Sequence, residues 1–280
     1  MPELPEVETI RRNLAPHVEG RTLERLEVLD PRWSRPIAPR ELAAAVEGRA
    51  VERLARRGKY LIWELDGEAY LLLHLRMTGT LLLDPKAPSH NRVWFELGDH
   101  RLAFSDPRRF GTGELALGED ALEAFLAARL GVEPLEDAFT AEHLYDLART
   151  SRAPIKAFLL DQKRVAGVGN IYADEALFRA RVHPLRPANR LTRGQCALLR
   201  DAVVASLEAG IAAKGATIDD FRDPYGVSGT FQDQFLIHLR EGQDCTNCGR
   251  AVRKLRAAGR GTYVCEGCQP RPRAARRRLR

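Results

Sequence analysis

No apolar run in this sequence approaches the ~20 residues that a membrane-spanning helix needs. The longest, Ala69–Leu75, is strand-like and interrupted by His74. A secretory leader is missing too: the opening MPELPEVETIRRNL is acidic before it is basic and has no apolar centre. Both absences point to a cytoplasmic protein with no membrane partner. There is no internal repeat and no coiled-coil heptad, which leaves a monomer as the expectation. Cysteine is scarce, at five in 280 residues.

Charge of one sign is scarcer than the net value of +6 suggests. Arg271, Arg273, Arg276, Arg277, Arg278 and Arg280 supply six positive charges with no acid among them, so the rest of the chain is about neutral. Bulk charge is therefore weak evidence for nucleic acid, and local placement matters more. Leu115–Asp146 is rich in acids and would avoid DNA. Basic residues gather at Arg53–Lys59, Arg101–Arg109, Arg152–Arg164 and Arg250–Arg260.

The periodicity predicts a helix over residues 3–18, with Val7, Ile10 and Leu14 on one face. Eight strand-like runs follow: Thr22–Leu29, Val51–Arg56, Tyr60–Leu65, Ala69–Leu75, Gly79–Leu83, Arg92–Leu97, Arg101–Phe104 and Gly113–Leu117. Asp66-Gly67 and Gly98-Asp99 suit hairpin turns. A short helix at about Glu41–Glu47 interrupts the strands. Short strands at hairpin spacing favour a sandwich or barrel. Beyond Leu117 the pattern turns helical, over 119–129, Thr140–Thr150, Pro154–Leu160, Asn170–Arg179 and Thr192–Lys214. The last carries a capping box, Thr192 with Gln195.

Cys245-x2-Cys248 and Cys265-x2-Cys268, with sixteen residues between the pairs, have zinc-ribbon spacing. Disulfides are the alternative, disfavoured in a cytoplasmic chain. Four thiolates leave no open coordination position, so one structural Zn2+ is expected, without metal catalysis and without an organic cofactor. Arg250, Arg253, Lys254, Arg256 and Arg260 between the knuckles suit phosphate contact. Cys196 falls on a helix's apolar face and reads as a core residue.

Met1-Pro2-Glu3 permits removal of the initiator methionine, which would leave Pro2 as a free secondary amine able to form an iminium with a sugar C1′. Glu3 could serve as acid or base. The same residues could equally do no more than start a helix.

Pro2-Glu3-Leu4-Pro5-Glu6-Val7-Glu8-Thr9 closely resembles the N-terminus of the formamidopyrimidine-DNA glycosylase family. So do His74–Gly79 (HLRMTG), Asp106–Gly111 (DPRRFG), Gly167–Glu175 (GVGNIYADE) and the four-cysteine ribbon, in family order. The resemblance implies an α+β fold of two domains. An eight-stranded β-sandwich with flanking helices would occupy 1–117 and a linker 118–135. A helix–two-turn–helix domain would occupy 136–229, a zinc finger 230–270 and a basic tail 271–280. DNA would run across the cleft between the domains.

It also implies roles. Pro2 would attack C1′ and Glu3 would protonate the sugar ring oxygen. Lys59 and Arg260 would supply protons for β- and δ-elimination; a solvated hairpin lysine is the bland reading of Lys59. His74, Arg109, Lys156 and Asn170 would contact DNA. Met77 and Phe110 would fill the gap left by an extruded base, and Arg108 would hold the orphaned cytosine. Glu6, Thr217 and Tyr225 would face the lesion. The chain departs from the family at Asp219, where a lysine is common, and this puts lesion preference in doubt. The implied activity is excision of 8-oxoguanine and formamidopyrimidines from damaged duplex DNA, then strand cleavage. The alternatives are an endonuclease VIII-type enzyme for oxidised pyrimidines and a non-catalytic zinc-ribbon DNA-binding protein. The sister's N-terminus typically reads Pro-Glu-Gly where this chain has Leu4.

Overall fold

The computed structural model describes residues 1–218 and 221–272. Asp219, the departure noted above, and residues 273–280 of the arginine tail lie outside the described residues. The chain forms two compact units. The first holds residues 1–130 and 208–233; the second holds 131–207 and the C-terminal segment from Gln234.

The first unit opens with helix α1 (Leu4–Val18). Val7, Ile10, Leu14 and Val18 recur at steps of three and four, and all are fully buried. Each such burial is worth roughly 1.5–3 kcal/mol. Strands β1 (Thr22–Leu23) and β2 (Arg25–Val28), helix α2 (Pro39–Val46) and strands β3 (Arg49–Arg57), β4 (Tyr60–Leu65) and β5 (Ala69–His74) follow. Then come β6 (Thr80–Leu83), β7 (Asn91–Leu97), β8 (His100–Ser105), β9 (Thr112–Leu117) and helix α3 (Glu119–Ala127).

Two sheets result, in the orders β1-β3-β4-β5-β9 and β2-β7-β8-β6. Nine strands stand where eight were expected, because the first run divides. The Glu24 amide donates to the Glu96 carbonyl at 2.8 Å, and the segments on either side join different sheets. The Trp63 and Phe95 rings stack between the sheets at 5.1 Å. Trp33 meets Phe95 and Phe104 edge-on in the same layer. On its other face the five-stranded sheet presents Tyr60, Ile62, Leu72 and Ala116 to Leu122, Phe125 and Leu126 of α3. β4 and β5 are thus covered on both faces, which is why they read as near-continuous apolar runs.

The second unit contains α4 (Ala141–Arg149), α5 (Ile155–Leu160), α6 (Asn170–Arg179) and the first fifteen residues of α7 (Arg193–Ala212), whose last five fall in the first unit. Thr192 and Gln195 exchange the two hydrogen bonds expected of a capping box, each 3.2 Å. Cys196 is fully buried on α7. A hairpin of β10 (Arg253–Ala257) and β11 (Arg260–Val264) turns through Ala258 and Gly259, both at positive φ (51° and 71°), as a type I′ connection requires. No helix among the described residues is long and apolar enough to cross a membrane.

Candidate active site

Pro2, Glu3 and Glu6 are all buried at the start of α1. The Glu6 carboxylate accepts two backbone amides: Oε2 from Glu3 and Oε1 from Ala216, each at 2.8 Å. Gly215 precedes at φ 83°, and a Cβ there would lie 2.9 Å from Glu6 Oε1, so the approach needs glycine. Thr217 closes the loop that follows. Its amide donates to Gln232 at 2.8 Å, its hydroxyl donates to the Phe221 carbonyl at 3.0 Å, and it accepts from Gly229 at 3.0 Å. Glu6 therefore joins the start of α1 to the backbone that leads into Thr217. One turn along α1, burial raises the Glu8 carboxyl but Arg11, Arg12 and Arg56 outweigh it, holding the group down at about 2.

Lys59 is buried and not a solvated hairpin lysine. Its charge bears on His74, which is 9% exposed. Burial first, then Arg76 and Lys59, pull His74 down to about 3, so the ring is neutral. Nδ1 accepts the Arg76 amide at 3.0 Å, which puts the proton on Nε2 as a fixed donor.

Two turns carry the apolar residues expected to enter a base stack. Met77 is half-buried and follows Arg76, which sits at φ 55°. Phe110 is 53% exposed and follows Arg109 at φ 58°. The Arg108 guanidinium lies 5.0 Å from the Phe110 ring centre, and Arg109 lies 3.7 Å from Asp30. Both turns meet at Asp106, a fully buried carboxylate.

Tyr225 reaches back to helix α1. Its hydroxyl lies 2.9 Å from His17 Nε2 and donates to the Asn13 carbonyl at 3.2 Å. Those partners sit nine and thirteen residues beyond Leu4 on α1, roughly 14–20 Å along its axis. Tyr225 thus ties its loop to the far end of that helix.

In the second unit Lys156, Asn170 and Arg260 gather around one hairpin. Lys156 is fully buried, with Nζ donating to Asp174 Oδ1 (2.7 Å), Thr262 Oγ1 (2.8 Å) and the Gly261 carbonyl (3.2 Å). These bonds brace Lys156 against α6 and the hairpin. Asn170 is the first residue of α6, with Gly169 as the cap; its Nδ2 donates to the same Gly261 carbonyl at 3.2 Å. Arg260, next to Gly261, is exposed. The buried acids of the Asp174-Glu175 pair fasten the segment that leads to the finger. Glu175 accepts the amides of Leu236, Ile237 and His238 at 2.9–3.0 Å, and Asp174 meets His238 Nδ1 at 2.8 Å.

The ligand sulfurs of Cys245, Cys248, Cys265 and Cys268 all lie within 4.8 Å of one another. Cys245–Cys268 and Cys248–Cys265 stand at 3.7 and 3.4 Å, close to the ~3.8 Å edge of a tetrahedron with ~2.3 Å zinc–sulfur bonds. Burial and the Cys248 and Cys245 thiols push Cys268 up to about 12, so four thiolates can share this space only around a cation. The donors fit one structural zinc. Arg253, Lys254, Arg256 and Arg260 are exposed on the hairpin between the knuckles.

Sequence reasoning gave no role to Thr78, Asp106, Arg92, Asp30, Asn13 or Gln232. Only Thr78 and Asp106 lay within a quoted motif.

A β-sandwich entered by a proline-led helix, joined to a helical unit with a four-thiolate finger, is the architecture of a zinc-finger DNA glycosylase. Residues 1–113 match the formamidopyrimidine-DNA glycosylase N-terminal domain and residues 130–222 its H2TH domain. The chain belongs to the formamidopyrimidine-DNA glycosylase family. It is 44% identical to the formamidopyrimidine-DNA glycosylase of Roseiflexus sp. (strain RS-1) over 276 residues, spanning 96% of this chain and 100% of that one. The crystal structure of MutM (Fpg) from Thermus thermophilus superposes with a TM-score of 0.87 at 44% identity, covering 96% and 98% of the two chains. The Lactococcus lactis Fpg in complex with abasic-site DNA gives 0.90 at 34% identity, covering 96% and 100%.

Proposed function

We propose that this protein is a base-excision repair enzyme that removes 8-oxoguanine and formamidopyrimidines from duplex DNA and then cleaves the strand. It acts as a cytoplasmic monomer. The observation that carries the reading is the buried Pro2-Glu3 start of α1, tied through Glu6 to the loop that begins at Ala216.

Loss of Met1 frees the Pro2 nitrogen, whose lone pair attacks C1′ of the extruded nucleotide. The glycosidic bond breaks, and its electron pair leaves with the base, which takes up a proton. Glu3 protonates the ring oxygen, the sugar opens, and C1′ and Pro2 share an iminium. Loss of a C2′ proton then expels the 3′ phosphate, and a second elimination expels the 5′ phosphate, with Lys59 and Arg260 as proton donors. Hydrolysis of the iminium returns Pro2 and leaves a one-nucleotide gap with phosphate at both ends. Glu6 and Thr217 shape the base side of the site. Met77 and Phe110 fill the vacated stack and Arg108 pairs with the orphaned cytosine. His74 Nε2–H, Arg109 and Asn170 hold phosphates. Zinc, bound by Cys245, Cys248, Cys265 and Cys268, supplies rigidity to the finger that presents Arg260.

Borohydride reduction tests this directly. Protein shown by mass spectrometry to lack Met1 should become covalently joined to an 8-oxoguanine duplex, and Pro2→Gly should lose trapping far more than binding. Faster release of thymine glycol than of 8-oxoguanine opposite cytosine would overturn the purine assignment. No adduct at all would leave a DNA-binding protein without this chemistry.

A further inference from the structure

The two wedge-bearing turns share one buried carboxylate. Asp106 Oδ1 accepts the Thr78 hydroxyl at 2.5 Å and the Arg108 amide at 3.2 Å. Oδ2 accepts the Gly111 amide at 2.7 Å and faces Arg92 Nη1 at 3.4 Å. Thr78 Oγ1 also accepts the Arg108 amide at 3.3 Å, so the residue after Met77 touches the backbone two residues before Phe110. Behind them the buried Arg92 donates to the Gly111 carbonyl at 2.7 Å and to Asp30 at 3.1 Å. A Cβ on Gly111 would come within 2.6 Å of the Phe104 ring, so this turn is pressed flat on the core. Each turn holds a non-glycine residue in the left-handed region, Arg76 at 55° and Arg109 at 58°. Such backbone persists only where its surroundings over-determine it, and the Asp106 cluster supplies that constraint to both turns at once.

We propose that Thr78 and Asp106 are positioning residues that lock the Met77 turn and the Arg108–Phe110 turn into a single wedge. The proposal rests on the gap-filling roles of Met77 and Phe110 given above. A preassembled pair enters the stack without ordering two loops separately, so less binding energy is lost at the step that holds the lesion extruded.

Thr78→Val removes the hydroxyl and keeps the branched shape; Thr78→Ser keeps the hydroxyl. Single-turnover excision from an 8-oxoguanine duplex reads wedge function. Borohydride trapping on a single-stranded abasic oligonucleotide reads the Pro2 chemistry without any stack to fill. Thr78→Val should slow duplex excision by about 10- to 100-fold and leave single-strand trapping unchanged, and Thr78→Ser should restore the duplex rate. Equal duplex rates for Thr78→Val and wild type, or parallel loss on both substrates, would overturn the proposal. If wild type traps no abasic strand, the glycosylase reading falls and the wedge lock with it. A second measurement avoids buried positions. Met77→Ala and Phe110→Ala, both on surface turns, should be non-additive in duplex excision if they act as one body, and strictly additive losses would refute the lock.

Discussion

Glu6 and Ala216 are joined by a 2.8 Å hydrogen bond across 210 residues of sequence. The other oxygen of the same carboxylate holds the Glu3 amide, so one side chain fixes both the start of α1 and the start of the 216–230 loop. Glu6→Gln would keep the size but turn an NH2 donor toward one of the two amides. Removing one charge-assisted partner costs roughly 1.5–3 kcal/mol, so excision of 8-oxoguanine should fall by about 10- to 100-fold. Single-turnover kinetics read this loss; a wild-type rate in Glu6→Gln would sink the coupling.

His74 should remain neutral across the working pH range. Its folded pKa of about 3 lies below the ~6.5 of an unfolded histidine. The unfolded chain therefore binds the extra proton first, and this contribution to stability is lost as pH falls from about 6.5 toward 3. Nitrogen-detected NMR of the imidazole should show the Nε2–H tautomer with no titration between about pH 5 and 8. A midpoint near 6.5 would contradict the buried placement.

Lys156→Met should destabilise the second unit more than it weakens phosphate binding. It would leave the buried Asp174 carboxylate without its cation, at about 3–5 kcal/mol. Denaturant unfolding should show that loss. The salt dependence of DNA affinity should keep its slope, whereas loss of a phosphate-contacting lysine would lower it by about 0.9.

Zinc removal should separate the units spectroscopically. All three tryptophans, Trp33, Trp63 and Trp94, belong to the first unit. A strong chelator should abolish DNA binding while tryptophan fluorescence stays unchanged. A red-shifted spectrum on chelation would show that the sandwich depends on the metal.

Much of this arrangement was legible in local sequence, for definite reasons. Gly98-Asp99 marked a hairpin because Gly98 takes positive φ (61°) within a two-residue turn. The cysteine spacing gave the finger because ligand geometry leaves few alternatives. Burial and long-range pairing were not legible. Arg92 shares a period-two face with Trp94 and Glu96 on paper, but the register shifts between Asn91 and Val93, and Arg92 is fully buried beside Asp106. Lys156 looked like any other basic residue near DNA until Asp174, eighteen positions later, was found beside it. Tyr225 sits in the loop assigned to the lesion, yet its position there could not reveal a hydroxyl turned to the end of α1.

Cys196 adds a consequence for a protein whose substrates arise by oxidation. Enclosure within the helical packing pushes its thiol up to about 11, so almost no nucleophilic sulfur forms there at neutral pH. The other four thiols are committed to the finger. Peroxide that damages guanine thus finds no ready thiol outside the metal cluster, and oxidation falls instead on thioether sulfur such as that of the half-buried Met77.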